Sequence, residues 1–315
     1  MSTITSTPYD DVFRTLLNDC TNLIIPVINE IFDENYSGDE PITESKNEHF
    51  IHITDTSTKE KITDSCFTIH GTVDKSYHIE CQSTPDGSMV VRMFEYDAQV
   101  ALYHGIVEQH ILTLSFPHSA VLYLRHNSKT PDYMTVKITT PGTDAEYQIP
   151  IIKIQTYTIS QIFEKNLLFL IPFHIFCYEN DFPVYNTNEE KLKELMHEFS
   201  RIRSKLELLC RQEKITEYEK RSIINLSEKV IENISKSYQA VKEGVTSIMG
   251  GQILDYEAKD ILHKGIQQGI QQGIQQGIQQ GELQTYINLV KDGLLTINEA
   301  AKRLNMDESK FQKYL

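Results

Sequence analysis

Several side chains that can bind metal ions or hydrogen-bond to phosphate fall in one short segment, residues 77–83, which reads YHIECQS. The segment is rich in residues that favour β-strands, and side chains alternate between the two faces of a strand. Glu80 and Gln82 therefore share one face with His78, and the residues between them face the other way. An acid and an amide are thus expected side by side on one surface.

A second acid, Asp64, lies on the preceding stretch with strand-like composition, residues 62–70. If the two stretches pair as a hairpin, Asp64 lies within about a residue or two of the level of Glu80. A hard divalent cation such as Mg²⁺ or Mn²⁺ takes one or two carboxylates and keeps open positions for water and phosphate. The pattern predicts a metal site of this kind. The spacing alone leaves the alternative that both acids are solvated surface residues.

The elements that would position these residues follow the order helix, three strands, helix, strand. Apolar residues at helical spacing predict a first helix over residues 10–32, which Pro26 should kink or split. A polar loop, residues 33–47, is expected next. The predicted strands are residues 49–54, 62–70, 77–83 and 120–124, and the second helix covers residues 88–105. The fold class is therefore α/β.

This order resembles the PD-(D/E)XK nuclease superfamily, and in particular its Rpn-like branch, the recombination-promoting nucleases and transposases. In that branch Gln commonly replaces the Lys of the ExK motif, and YHIECQS followed by RMFEYD at residues 92–97 is similar to that pattern. The run IFEKNLLFLIPF at residues 162–173 and the Gly-Ile-Gln-Gln repeat also resemble these proteins. The resemblance covers nearly the whole chain. It implies a PD-(D/E)XK core and a Mg²⁺-dependent DNA endonuclease with a recombination or mobile-element role.

The same resemblance assigns roles to individual residues. Asp64 and Glu80 would be the catalytic metal ligands, and the backbone carbonyl of Cys81 could be a third ligand. Gln82 occupies the position of the Lys, but an amide only donates and accepts hydrogen bonds and brings no positive charge. Proton removal would then fall to the metal-bound water or to the substrate phosphate.

Three further side chains are candidates for supporting the site. Arg92 and Tyr96 are four residues apart and so share one helix face, from which they could contact substrate. Arg92 could hold a phosphate through two hydrogen bonds, or it could form a salt bridge with Glu95 or Asp97. Asp11 could orient the site or serve the N-terminus of the first helix.

Charge and composition limit the classes of function. A net charge of −14 and a pI near 5.2 argue against nonspecific coating of DNA, because phosphate binding needs Lys and Arg. DNA binding is therefore expected to be weak and sensitive to salt. No P-loop, GxGxxG or GxSxG motif is present, which disfavours nucleotide-driven motors, dinucleotide oxidoreductases and serine hydrolases.

The expected location is cytoplasmic. Five cysteines without a CxxC pair indicate thiols in a reducing compartment. The N-terminal residues lack the pattern of a signal peptide. The most apolar stretch, residues 167–178, is too short for a membrane span and suits a buried segment, so no membrane partner is expected.

The predicted domains are a nuclease-like core with extra β-strands, an amphipathic helical region, the Gly-Ile-Gln-Gln repeat and a tail similar to a helix-turn-helix. They cover residues 1–180, 181–262, 263–281 and 282–315. The repeat could be a flexible linker or a helical spacer, and on a helix its isoleucines form a stripe that favours self-association. The tail could pack and oligomerise or read DNA bases. A homo-oligomer through C-terminal helices is expected. The alternative function is a catalytically weak, DNA-associated or regulatory oligomeric module.

Overall fold

The computed structural model describes residues 7–44, 50–54, 57–61, 66–250, 283–304 and 306–314. The chain divides into two compact units, Met1–Gly251 and Gln252–Leu315, and each unit has its own hydrophobic core. The Gly-Ile-Gln-Gln repeat and Asp64 both lie outside the described residues.

The described part of the first unit contains eight α-helices and ten β-strands. The helices are α1 Pro8–Asp19, α2 Ile25–Phe32, α3 Met89–Tyr103, α4 Ile159–Glu164, α5 Phe182–Thr187, α6 Glu189–Arg211, α7 Glu217–Ile234 and α8 Gln239–Met249. The strands are β1 Ile42–Glu44, β2 Phe50–Thr54, β3 Ser57–Lys61, β4 Cys66–His70, β5 Asp74–Gln82, β6 Ile106–Glu108, β7 Ile111–Thr113, β8 His118–Tyr123, β9 Tyr133–Thr139 and β10 Asp144–Lys153. Three 3₁₀ segments are Thr21–Ile24, Ile154–Thr156 and Leu168–Asp181. This confirms the α/β class.

Six of the strands form one mixed sheet, in the order β1-β4-β5-β8-β10-β9. The pairs β1–β4, β4–β5 and β10–β9 are antiparallel, whereas β5–β8 and β8–β10 are parallel. The parallel pair β5–β8 needs a crossover connection, and α3 lies within it. The strand that carries Glu80 is therefore central in the sheet, with a neighbour on each side.

Alternation along β5 and β8 builds two cores, one on each face of the sheet. Tyr77, Ile79 and Cys81 belong to the larger core, together with residues of α1, α2, the 3₁₀ segment Leu168–Asp181 and helices α6 to α8. On the other face, Val121 of β8 packs with Met89 and Met93 of α3. Burying one such aliphatic side chain stabilises the fold by roughly 1.5–3 kcal/mol. The amphipathic helical region predicted after residue 180 thus shares a core with the sheet.

Pro26 splits the first predicted helix, as expected. Helix α1 ends at Asp19, and Pro26 lies in the first turn of α2. Proline lacks a backbone N–H, and the first turn of a helix is where that loss costs least. The extra β-strands expected in the core include β9 and β10, which pair as a hairpin on either side of Pro141-Gly142.

The first strand of the sheet lies where a loop was expected. Strand β1 falls within the predicted loop, residues 33–47, and pairs with β4 at the sheet edge. Strand β2 overlaps the predicted strand 49–54 but pairs with β3 in a separate two-stranded sheet. The prediction of a strand over residues 49–54 is thus confirmed for Phe50–Thr54, and this strand lies outside the six-stranded sheet. A three-residue edge strand with a single aliphatic residue is too short to show alternation, so local periodicity does not reveal it.

The described part of the second unit is a small helical cluster. Helix α9 covers residues 283–291, followed by α10 Ile297–Arg303, α11 Glu308–Phe311 and a 3₁₀ turn, Gln312–Tyr314. Thr296 caps α10 in a reciprocal pair with Glu299. Four buried residues form the centre of this unit: Ile287, Ala300, Ala301 and Phe311. Among the helices that the structure describes in either unit, none is long and apolar enough to cross a membrane.

Candidate functional site

The face of β5 opposite the larger core carries a buried polar cluster. His78 is fully buried and Glu80 is 3% exposed, and both are central in the sheet. The predicted alternation is confirmed, because Tyr77, Ile79 and Cys81 lie in the apolar core on the other side. Polar side chains at such positions need partners, since an unpaired buried charge is costly.

Asp97 of α3 and Ser119 of β8 provide partners for this cluster. The Nδ1 atom of His78 lies 2.7 Å from Oδ1 of Asp97, and its Nε2 atom lies 3.2 Å from Oε1 of Glu80. The hydroxyl of Ser119 donates to the same Oδ1 atom of Asp97 at 2.7 Å. One imidazole therefore joins a strand acid to a helix acid.

The two carboxylates favour the charged form of His78. Complete burial by itself lowers the pKa of this imidazole, but the hydrogen bonds and charges of Asp97 and Glu80 outweigh burial and raise it to about 10. With both carboxylates ionised, the cluster contains two negative charges and one positive charge. That excess of negative charge would then be buried on a central strand.

Arg92 and Gln82 form a second polar pair next to this cluster. The guanidinium of Arg92 donates to Oε1 of Gln82 at 3.1 Å and lies 3.7 Å from a carboxylate oxygen of Asp86. From the sequence, a salt bridge of Arg92 with Glu95 or Asp97 was an open alternative. The salt bridge that the structure describes is instead made with Asp86. Arg92 thus brings positive charge to the end of β5, where the strand itself carries an amide.

Tyr96 shares the sheet-facing side of α3 with Arg92, as predicted from their spacing. Its ring packs edge-on against His78, with 5.8 Å between the ring centroids. Tyr96 is only 5% exposed. It therefore supports the buried cluster by packing and lies largely out of contact with solvent.

A cleft of about 430 Å³ lies beside this pair, at the carboxyl end of β8 and the start of α3. Tyr123, Asp86 and Val90 are among its lining residues, and it continues to Lys129 and Met134. In open α/β sheets, ligands commonly bind outside the carboxyl ends of parallel strands. The cleft, the Arg92 guanidinium and Gln82 are thus at the edge of the sheet where a ligand is expected.

Asp10, the neighbour of Asp11 on α1, lies close enough to Glu80 for their charges to interact. Asp11 is exposed in the first helical turn. Burial raises the pKa of Asp10, hydrogen bonds from Thr7 lower it, and the negative charge of Glu80 raises it further. Asp10 also pairs with Thr7 to cap α1.

The predicted metal ligands are only partly described. Asp64 lies outside the described residues, so its distance from Glu80 stays a prediction. The side chain of Cys81 is buried on the opposite face of β5 from Glu80. Within the described ranges, no three His, Cys, Asp or Glu side chains are grouped closely enough to hold a metal ion. All five cysteines lie in these ranges, and none forms a disulfide.

Sequence reasoning missed three residues of the site, Asp10, Asp97 and Ser119. A signal existed for Asp97, because it occupies the same buried stripe of α3 as Met93 and Val100. An acid within an apolar helical stripe needs a buried partner, and His78 is that partner. Ser119 likewise interrupts the apolar run of β8.

Comparisons with known proteins identify no family for the chain. No protein-family model, curated protein or solved structure matches it.

Proposed function

We propose that this protein is a metal-dependent DNA endonuclease with a PD-(D/E)XK core, in a recombination or mobile-element role as in the Rpn-like branch. The observation that carries the proposal is the position of Glu80 and Gln82, two residues apart on a central strand that leads into helix α3. The element order of helix, strands, helix and strand supports the same core. In the sheet, β5 is antiparallel to β4 and parallel to β8, and the crossover through α3 accounts for the parallel pair.

The described register of the β4–β5 hairpin is compatible with a two-carboxylate site. Cys66 pairs with His78 across the antiparallel ladder. Two more residues of the same register would bring position 64 opposite Glu80, which is what the proposal requires of Asp64. Asp64 and Glu80 would then hold Mg²⁺ or Mn²⁺, with the Cys81 carbonyl as a further ligand.

The donor chemistry proposed for the site suits a hard cation, because the side chains of Asp64 and Glu80 would supply carboxylate oxygens. The bound metal would polarise the phosphate and lower the pKa of a bound water. His78 would hold the Glu80 carboxylate in position, because the imidazole is itself fixed by Asp97.

The contact between Gln82 and Arg92 compensates for the missing Lys. Gln82 can hydrogen-bond to the attacking water or to a phosphate oxygen but cannot neutralise charge. Arg92 reaches the same position from α3, with its guanidinium 3.1 Å from the Gln82 amide oxygen. In this proposal Arg92 supplies the positive charge that stabilises the phosphate as negative charge develops on it. Tyr96 serves indirectly, by packing against His78.

Nicking of supercoiled plasmid with Mg²⁺ or Mn²⁺ tests the proposal. Asp64→Asn and Glu80→Gln preserve size and hydrogen bonding, so each should lower the rate on the order of 100-fold or more by removing charge. Glu146→Gln, at an exposed position of β10, is the matched control and should cut at the parent's rate. If both acid variants cut as fast as the parent, the metal site is elsewhere and the proposal fails.

One observation favours a second function. Glu80 is almost fully buried and bound to His78, which is also the arrangement of a purely structural polar network. A catalytically weak, DNA-associated or regulatory oligomeric module would have this network without cutting DNA. Absence of nicking by a folded parent with either metal would favour this function.

A further inference from the structure

An exposed apolar arm connects α3 with β8. The arm, residues 102–114, contains the hairpin of β6 and β7, in which Val107 pairs with Leu112. All six strand residues of this hairpin are exposed. The hairpin forms its own two-stranded sheet, separate from the main sheet. Seven apolar side chains in the arm are more than a third exposed: Leu102, Tyr103, Ile106, Val107, Ile111, Leu112 and Leu114.

Such an arm is poorly stabilised within one copy of the chain. A two-stranded hairpin without further cover is marginal in water. Its turn residues, Gln109 and His110, both have positive φ, at 45° and 71°, which favours glycine or asparagine over these side chains. The chain is closely packed at the base of the arm, where a Cβ atom added to Gly105 would lie 2.9 Å from a methyl carbon of Leu114. The rest of the arm needs cover from another surface.

Both faces of the hairpin are apolar. The ladder places Ile106 and Ile111 on one face, and Val107 and Leu112 on the other. Val107 is 71% exposed and Ile111 is 66% exposed. Together the seven side chains expose on the order of 700 Å², close to the ~800 Å² that each partner buries in a standard protein–protein interface. The arm is thus large enough to account for most of such an interface.

The charge of the arm decides between kinds of partner. Glu108 is its one formally charged residue, and it contains no Lys or Arg. DNA and anionic membrane surfaces both attract basic residues, so neither suits this surface. With Glu108 as its one acid, the arm also lets two copies of a chain with a net charge of −14 meet while placing little charge in the contact. A second copy is the partner that these properties fit.

We propose that the apolar arm is a self-association surface, which pairs with the same arm of a second copy. In a two-fold contact the same surface of each copy faces its counterpart. Pairing of either outer strand with its symmetry mate is then antiparallel and joins the two hairpins into a four-stranded sheet. This satisfies backbone N–H and C=O groups at a hairpin edge and brings the apolar side chains of the two copies into contact across the new strand pair. The proposal is independent of the metal site.

The oligomeric state of the full-length chain tests this proposal. The parent should have a mass of at least twice 36.3 kDa by light scattering, and Val107→Asp and Ile111→Asp should each halve the parent's mass. Both positions are highly exposed, so the circular dichroism spectrum and the melting temperature should stay close to the parent's. Val73→Asp, at a position 68% exposed on the β4–β5 turn, is the matched control and should keep the parent's mass.

Hydrogen exchange locates the contact independently. In the parent, amides of residues 106–113 should exchange at least tenfold more slowly at high protein concentration than at low protein concentration. In the Val107→Asp variant, their exchange rate should be the same at both concentrations. A monomeric parent overturns the proposal. So does a Val107→Asp variant with the parent's mass, or hairpin exchange that is independent of concentration, because the arm is then covered by another part of the chain or by nothing.

Discussion

The Nδ1 atom of His78 on β5 lies 2.7 Å from Oδ1 of Asp97 on α3, where neither residue is open to solvent. This contact joins a central strand to the helix that crosses over to the next strand. Because Glu80 bonds to the opposite nitrogen of the same ring, the position of a candidate metal ligand depends on an acid 17 residues away in sequence. A buried network of charged side chains thus joins helix α3 to strand β5.

The first prediction concerns the contribution of this buried network to the stability of the protein. Asp97→Ala leaves the buried imidazole of His78 without one of its two carboxylates, and removing one partner of a buried ion pair costs about 3–5 kcal/mol. Asp97→Asn keeps a hydrogen-bond acceptor and should cost less. Urea denaturation measures both. Asp144→Ala, at an exposed position of β10, is the control and should stay within about 0.5 kcal/mol of the parent.

If the free energy of unfolding of Asp97→Ala is close to that of the control, His78 becomes neutral at little cost in stability. The buried network would then contribute little to stability. Asp97 would then not be needed to position Glu80 through His78.

The second prediction concerns the contact between Gln82 and Arg92. The resemblance alone suggests that Gln82→Lys is tolerated, because it restores the commoner motif. The structure predicts a cost, since the new ammonium would lie beside the Arg92 guanidinium, which now donates to the Gln82 amide oxygen. Gln82→Lys should therefore lower stability by about 1–2 kcal/mol, as expected when a hydrogen bond is replaced by repulsion.

A double-mutant cycle with Arg92→Gln isolates this effect. The combined variant moves the positive charge from helix to strand and should recover most of the loss, both in unfolding free energy and in nicking rate. Additive effects of the two changes would mean that Arg92 and Gln82 do not act together. Arg201→Gln, on the exposed side of α6, is the control and should show no coupling with Gln82→Lys.

Local periodicity predicted much of the fold. The alternation in β5 and the apolar stripe of α3 extend over enough residues to show their period, so these elements and their faces were found from the sequence. Strand β1 is too short for a period, and the contact of His78 with Asp97 depends on how α3 lies across the sheet. Neither is encoded locally. The pairing of Asp64 with Glu80 stays a prediction, because Asp64 lies outside the described residues.

The third prediction concerns stabilisation by metal. If Glu80 is a ligand, Mg²⁺ or Mn²⁺ at 100 times its dissociation constant should stabilise the parent by about 2.7 kcal/mol. Glu80→Gln and Asp64→Asn should each lose this stabilisation. Thermal unfolding with and without metal, in the presence of the same chloride concentration, measures the effect without any substrate.

The metal-free variants add a separate comparison. Because Glu80 contacts His78 at 3.2 Å, Glu80→Gln should cost some stability without metal, about 1–2 kcal/mol, although the amide oxygen can still accept the hydrogen bond. Equal stabilisation of parent and both variants by the metal would place its binding site elsewhere on the protein.

The fourth prediction concerns the dependence of stability on pH through His174. This imidazole lies in the buried 3₁₀ segment, and burial lowers its pKa to about 4. Its contacts with the Cys177 thiol and the Tyr178 hydroxyl, at 3.5 and 3.4 Å, are long and do not favour the charged form. Burial also raises the pKa of Cys177 to about 12 and raises the pKa of Tyr178, so both neighbours are uncharged in the acidic range.

A folded-state pKa below the unfolded value of about 6.5 means that the unfolded chain binds the proton more tightly. The contribution of neutral His174 is therefore complete above about pH 6.5 and is lost as pH falls towards 4, by up to about 3 kcal/mol. His174→Leu removes the titrating group and keeps an apolar side chain. The free energy of unfolding of this variant should fall less steeply than the parent's between pH 6.5 and 4. His197→Leu, at an exposed position of α6, should follow the parent, and parallel curves for parent and His174→Leu would contradict the prediction.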